Sequence, residues 1–238
     1  MPKGQYSSLT LILPTLNESH TAPLMIRDAL RGFPGMRIIV VDDGSTDGTV
    51  EKVEKISREN GSVRMIDRKK RGLSKGLTAS IIDGIAASRT RYIAVMDADM
   101  QHPLSKLHDV SRFLRDGYPL VVCTRSSVRD WPIGRKIISK VLSSIGYIVL
   151  AARRKERCGD IFSGFFGIDK GEVYGIVKRN RSRFISGGYK FLFDLLKCID
   201  SGSGIRIREV PYAFGNRKFG ASKAGAIQVV ALLRSFLT

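Results

Sequence analysis

The chain has 238 residues, 43% hydrophobic and 26% charged, which suits a folded domain with a buried core and excludes disorder, collagen and low-complexity repeats. Against 22 Asp and Glu stand 40 Lys and Arg, and the net charge of +18 points to anionic partners: phosphorylated substrates, lipid headgroups or nucleic acid. Cys123, Cys158 and Cys198 are widely spaced and fit neither a metal site nor a disulfide framework, so a reducing, intracellular setting is expected.

Residues 1–8 are short and polar, with no export signal. Apolar runs then alternate with helical patterns, the signature of βαβ units and a parallel sheet. Strand 9–13 (LTLIL) is closed by Pro14, and helix 21–31 is broken by Gly32, Pro34 and Gly35. Strand 36–41 (MRIIVV) runs into Asp42-Asp43-Gly44-Ser45, where Ser45 or Asp47 can cap helix 49–59. Strand 63–67, a basic loop at 68–73, helix 77–87, strand 92–96, helix 103–115 and strand 120–124 follow.

Beyond Arg125 the pattern loosens. Residues 131–152 place Ile133, Ile137, Ile138, Val141, Leu142, Ile145 and Ile148 near a 3.6-residue period, with Arg135, Lys136 and Lys140 among them. Such a helix packs on the core or lies in a lipid headgroup layer, and the sequence leaves both open. A hairpin at 161–168, a helix at 191–199, a strand at 205–210 and an apolar helix at 224–238 complete the expected elements. Neither 137–152 nor 224–238 reaches the roughly 18 apolar residues that span a bilayer, so membrane contact is expected to be peripheral. With no linker in view, one domain over 1–238 is expected, with a nucleotide-sugar half (1–125) and an acceptor half (126–238).

Acids gather where strands should end. Glu18 follows the first strand, Asp42 and Asp43 the second, Asp97 and Asp99 the fourth, and ligands of open parallel sheets bind outside those ends. Clustered carboxylates repel, so a shared cation or hydrogen-bonding ligand is implied. In Asp97-Ala98-Asp99 alternation turns both carboxylates to one side, and Gln101 adds a neutral oxygen, a supply suited to Mg²⁺. No G-x-G-x-x-G or Walker loop occurs. None of His20, His102 and His108 has an obvious carboxylate partner, and His102 is read as structural or peripheral.

Pro14-Thr15-Leu16-Asn17-Glu18, Val41-Asp42-Asp43-Gly44-Ser45 and Asp97-Ala98-Asp99-Met100-Gln101-His102-Pro103 resemble successive motifs of the family 2 glycosyltransferases. Thr124-Arg125, Trp131-Pro132, Arg135-Lys136, Ser163-Gly164-Phe165-Phe166, Gly188-Tyr189-Lys190 and Glu209-Val210-Pro211 with Arg217, Gly220, Ser222 and Lys223 extend the likeness to the polyprenyl-phosphate sugar transferases, the dolichol-phosphate mannose synthases among them. The family often has Tyr where this chain has Leu16. The resemblance implies a GT-A (Rossmann-like) α/β fold, a mostly parallel sheet flanked by helices with amphipathic interfacial helices added. It also implies mannose transfer, with inversion, from GDP-mannose to dolichyl or another polyprenyl phosphate.

Residue by residue, the resemblance places Pro14, Leu16, Glu18, Val41 and Asp43 on the guanosine and Asp97 and Ala98 along the sugar nucleotide. Asp99 and Gln101 would hold Mg²⁺ or Mn²⁺, and Arg125, Arg217 and Lys223 the phosphates. Arg135, Ser163 and Lys190 would meet the acceptor phosphate. Asp97, Asp99, Arg125 and Arg217 are thus the expected catalytic set. The acceptor, a phosphate monoester, is largely dianionic at neutral pH and needs no dedicated base. The expected location is cytoplasmic, peripheral on the cytoplasmic face of a membrane, with room for a membrane-protein subunit. Rival readings are a UDP-sugar transferase and a basic module on nucleic acid or lipid. Nucleic acid is not an expected partner, since no RRM, KH, helix-turn-helix or zinc pattern occurs.

Overall fold

Strands rich in Val, Ile and Leu that are buried at every position need a covering layer on both faces. A computed structural model shows this arrangement, describing residues 4–73, 75–127, 133–185, 190–215 and 232–236. β1 (Leu9–Thr15) and β4 (Tyr92–Val95) are buried along their whole length. With β2 (Arg37–Asp42), β3 (Val63–Asp67), β5 (Leu120–Ser127), β6 (Phe166–Asp169) and β7 (Ile207–Ala213) they form one sheet in the order β3-β2-β1-β4-β6-β5-β7. Pro14 does not end β1 but pairs in register with Val41. The expected 125/126 boundary falls inside β5.

Helices α1 (Thr21–Gly32), α2 (Thr49–Glu59), α3 (Leu77–Ala87) and α4 (Lys106–Arg115) follow the first four strands, as the periodicity foretells. Two apolar clusters lie on the two sides of the sheet. One gathers Ile12, Val41, Ile85, Phe166 and Phe191, and the other Leu11, Leu13, Val40, Leu107 and Phe165. The second half departs from expectation. Residues 161–168 are not a hairpin, since only β6 is a strand there. α6 (Lys170–Arg179), absent from the expected elements, begins at Asp169, whose side chain accepts the Gly171 N–H. α5 (Ile133–Ala152) and the short α7 (Phe191–Leu196) complete the helices.

β6 alone runs against its neighbours, antiparallel to both β4 and β5, while β7 is parallel to β5. Reversal puts the start of β6 beside the end of β4, with Phe166 opposite Val95 and, on its other side, opposite Val122 in β5. The segments leaving β4, entering β6 and leaving β5 and β7 therefore meet at one edge.

α5 resolves the choice its sequence leaves open. Leu150 is fully buried and Leu142, Tyr147 and Val149 pack on the core. Ile133, Ile137, Ile138, Val141 and Ile148 are 52–77% exposed, a contiguous outward stripe.

Behind the sheet, residues 232–236 are tied down by a buried ionic knot. Lys197 Nζ stands 3.0 Å from Asp194 Oδ1 and donates to the Ser235 carbonyl (2.6 Å) and hydroxyl (3.0 Å). The Ser235 hydroxyl donates in turn to Asp194. Burial pushes the Asp194 carboxyl up and the Lys197 ammonium down, each opposed by the other's charge. Removing one partner of such a pair leaves an uncompensated buried charge. Lys197→Met is therefore expected to lower urea-unfolding stability by about 3 kcal/mol, with Lys197→Met/Asp194→Leu recovering most of it. An unchanged midpoint for the single variant would refute this role.

Candidate active site

The loops after β1 and β2 are stitched together by side chains. Asp42 is fully buried and accepts from Thr15 Oγ1 (2.9 Å), Gly44 N (2.9 Å) and Ser45 N (2.7 Å), so it shapes the turn. Asn17, at a left-handed φ of 52°, accepts Thr46 N at 2.8 Å, and Ser45 Oγ accepts Asn17 N at 2.7 Å. Ser45 is thus committed to the neighbouring loop, and Asp47 receives the Thr49 N–H at the start of α2. Hydrogen bonds from Thr49 and Ser19 overcome partial burial and hold the Asp47 carboxyl down at about 2. Glu18 accepts from Thr21 Oγ1 at 2.8 Å.

Asp43 does not join a carboxylate cluster. Arg68 Nη1 meets its Oδ1 at 2.5 Å, and Gly76 N donates to both oxygens at 3.0 and 2.8 Å. Arg68, 3% exposed, also donates to Asp83 at 2.8 Å, whereas Lys69, Lys70 and Arg71 beyond it face solvent. β1 separates β2 from β4, so the two strand ends stand roughly 10 Å apart. Among the described residues no group of three or more His, Cys, Asp or Glu is placed to hold a metal ion. The expected convergence of acids on one ion is thereby corrected to the Asp97–Gln101 segment alone.

That segment leaves β4 at the edge created by β6. Gly164 faces Asp97 so closely that a Cβ there would lie 2.4 Å from Asp97 Oδ2. His102, 5% exposed, presents Nε2 3.5 Å from the same oxygen and pairs through Nδ1 with Tyr212 Oη at 2.7 Å. The Asp97 side chain keeps 39% exposure, enough to meet a ligand. Desolvation works against its charge, yet the His102 hydrogen bond and the positive Lys190 and Arg125 prevail and hold the carboxyl below the usual range. Burial pushes the Tyr212 phenol up, so it stays protonated.

Asp99, 5% exposed, accepts the Gln101 N–H at 3.1 Å across Met100, which takes a left-handed φ of 61°. Gln101 is fastened to the segment after β7: its Nε2 donates to the Gly215 carbonyl and its own carbonyl accepts Gly215 N, both at 2.9 Å. With Nε2 so directed, Oε1 is the oxygen Gln101 has to offer. A carboxylate and an amide oxygen on one short loop fit the hard-donor preference of Mg²⁺ or Mn²⁺.

Other expected site residues are placed differently. Val41 is fully buried in the core under α3, and Pro14 and Ala98 are buried too, so their side chains are not presented as a nucleoside surface. Arg125 spends its fork on Asp160, with Nε to Oδ2 at 2.6 Å and Nη2 to Oδ1 at 2.8 Å, rather than keeping it for phosphate. Ser163 is buried, donating to the Cys123 carbonyl at 2.6 Å and accepting Phe165 N, so it holds the turn before β6 instead of offering a donor to an acceptor. Lys190 Nζ donates to the Phe162 carbonyl at 3.2 Å, and Leu16 is partly exposed in the loop after β1. Arg217, Lys223, Trp131, Gly188 and Tyr189 lie outside the described residues, as does the Arg135 side chain. His102, Tyr212 and Asp160 escaped the sequence reading because their partners are 5, 110 and 35 residues away.

The chain is 33% identical over 233 residues to a dolichol-phosphate mannosyltransferase of Pyrococcus furiosus, matching 95% of this chain and 62% of that protein. It is 32% identical to a dolichol-phosphate mannosyltransferase of Mycosarcoma maydis (91% of this chain, 73% of the relative) and 29% identical to one of Saccharomyces cerevisiae (94% and 84%). It thus spans about three fifths of the archaeal relative's length and more of the fungal ones. Among solved structures, glucosyl-3-phosphoglycerate synthase of Mycobacterium tuberculosis, in complex with Mn²⁺, UDP-glucose and glycerol 3-phosphate, superposes with a TM-score of 0.63 at 17% identity (96% of this chain, 77% of that one). Mannosyl-3-phosphoglycerate synthase of Rubrobacter xylanophilus gives 0.64 at 17% (96% and 72%), and both likenesses show a shared GT-A fold. The profile of glycosyl transferase family 2 matches residues 10–173, and the chain belongs to that family.

Proposed function

We propose that this chain transfers mannose from GDP-mannose to dolichyl or another polyprenyl phosphate, with inversion and with a divalent metal ion. The observation that carries the reading is a half-open, charged Asp97 flanked by Asp99 and Gln101 at the end of β4, beside Arg125 and Lys190. The names borne by relatives at about 30% identity supply the substrate class.

Asp99 and Gln101 would hold Mg²⁺ or Mn²⁺, which when bound supplies positive charge opposite the departing diphosphate. Asp97 orients the donor sugar, and its ordered, charged form rests on His102, Lys190 and Arg125. Lys190, held at the Phe162 carbonyl, adds positive charge at the crevice, and Arg125 is fixed in place by its pair with Asp160, so neither has to reorganise as negative charge develops. The acceptor oxygen arrives unprotonated, so its attack needs no side-chain base. Arg217 and Lys223 extend the proposal to the phosphates, and Arg135 to the acceptor. One domain built of a donor half and an acceptor half serves this division of labour.

Delivery of the lipid falls to α5. No helix among the described residues is long and apolar enough to cross a membrane. The outward stripe of Ile133, Ile137, Ile138, Val141 and Ile148, with Lys136 and Lys140 on the same helix and Arg153, Arg154 and Lys155 at its end, suits an anionic lipid surface. Peripheral attachment on a cytoplasmic face, with or without a membrane subunit, is part of this proposal, and the exposed stripe supports it.

Incubation with labelled GDP-mannose and a polyprenyl phosphate, followed by lipid extraction, should yield labelled lipid in a Mn²⁺- or Mg²⁺-dependent manner; no label with either ion rejects the reading. GDP with Mn²⁺ should raise the melting temperature more than UDP with Mn²⁺, and the opposite order would reassign the donor. Asp99→Ala should cut turnover at least about 100-fold, because it removes a ligand of the ion that would stabilise the developing charge. Ile137→Glu/Ile148→Glu should lower binding to phosphatidylserine-containing vesicles at least about tenfold, since each buried isoleucine contributes roughly 2 kcal/mol. Unchanged sedimentation would free α5 of that role.

A further inference from the structure

His102 sits where a filler residue would suffice, yet every atom around its ring is specific. Phe165, Tyr212 and Phe214 surround it with ring centroids 5.3–5.6 Å away, so the imidazole has little freedom to turn. With its proton on Nε2 the ring can satisfy both polar neighbours at once: Tyr212 Oη pairs with Nδ1 at 2.7 Å, and Nε2 stands 3.5 Å from Asp97 Oδ2. The opposite tautomer would turn a lone pair toward a carboxylate. The 3.5 Å separation lies at the outer edge of hydrogen-bond reach, as ligand-free sites often show before they tighten.

We propose that His102 is a positioning residue: it fixes the rotamer of Asp97 toward the donor sugar, and Tyr212 fixes the tautomer of His102. This deepens the function proposed above and rests on it for the identity of the sugar. The ordering element is β7, for its register sets Tyr212 opposite Arg125 on β5, and Phe214 lies beneath the Arg125 guanidinium at 5.7 Å. One edge strand thus aligns the acid through His102 and the neighbouring cation through pairing. Gly164 approaches the same Oδ2 that His102 faces, and only because it lacks a Cβ does Asp97 fit there.

Two measurements on the full chain test this. The chain holds three histidines, so nitrogen-15 histidine NMR compared with a His102→Gln variant assigns the ring. The expected spectrum is the Nε2–H tautomer, turning to a mixture in Tyr212→Phe; a Nδ1–H ring, or no change in Tyr212→Phe, overturns the proposal. The second is mannose transfer with Mn²⁺. His102→Asn, whose amide falls short of Asp97, should lose about 10- to 100-fold, as expected for a supporting hydrogen-bond partner. His102→Gln, whose amide can occupy the Nε2 position, should regain most of that loss although both variants melt at similar temperatures. Equal losses would reduce His102 to a packing residue and overturn the inference. Absence of transfer by the unaltered chain would reject the proposed reaction instead, and the tautomer measurement would then decide the role of His102 alone.

Discussion

The approach of Asp97 to Gly164 shapes the carboxyl edge of this sheet: a Cβ at Gly164 would lie 2.4 Å from Asp97 Oδ2, so any side chain there would displace the carboxylate. The approach is possible because β6 runs backwards between β4 and β5, which brings the turn before β6 to the exit of β4. Ser163 spends its hydroxyl holding that turn. The crevice is thus defined by strand direction first and by side-chain chemistry second.

Strong positive charge overall does not mean that cations are idle. Arg68 bridges Asp43 and Asp83, Arg125 pairs with Asp160, and Asp42 is satisfied by neighbouring N–H and hydroxyl donors. Asp42, Asp43 and Asp160 build loops, and Asp83 ties α3 to the loop that carries Arg68. Asp97 differs in keeping an exposed face while its charge is maintained by surrounding hydrogen bonds and cations. Sorting acids by what already satisfies them separates scaffold from site more sharply than position at a strand end does.

The first five strands and the helices between them were legible because each buries a repeating apolar pattern that local sequence must carry. The acids after β2 and β4 were legible as turn residues at the ends of such strands. α6 left a readable trace, Asp169 followed three residues later by Glu172, that went unused. The reversal of β6 left none, because strand direction is set by partners far along the chain. The same holds for the Arg125–Asp160 fork and for Tyr212 beneath His102, where each residue type alone is compatible with many roles. Apolar periodicity in α5 identified a helix but not which side is covered, and there the structure turns most of the isoleucines outward.

The contacts that close the Asp97 side of the crevice join residues 110 and 114 positions apart, Tyr212 to His102 and Gly215 to Gln101. Synthesis delivers the chain from its N-terminus, and the loops around Asp42 and Asn17 can lock while the last strand has yet to emerge. Loop-closure entropy makes such distant pairings slow to form. The loops around Asp42 and Asn17 can therefore close before the segment after β4 meets β7, the last strand among the described residues, and the crevice around Asp97 is complete only when that strand docks.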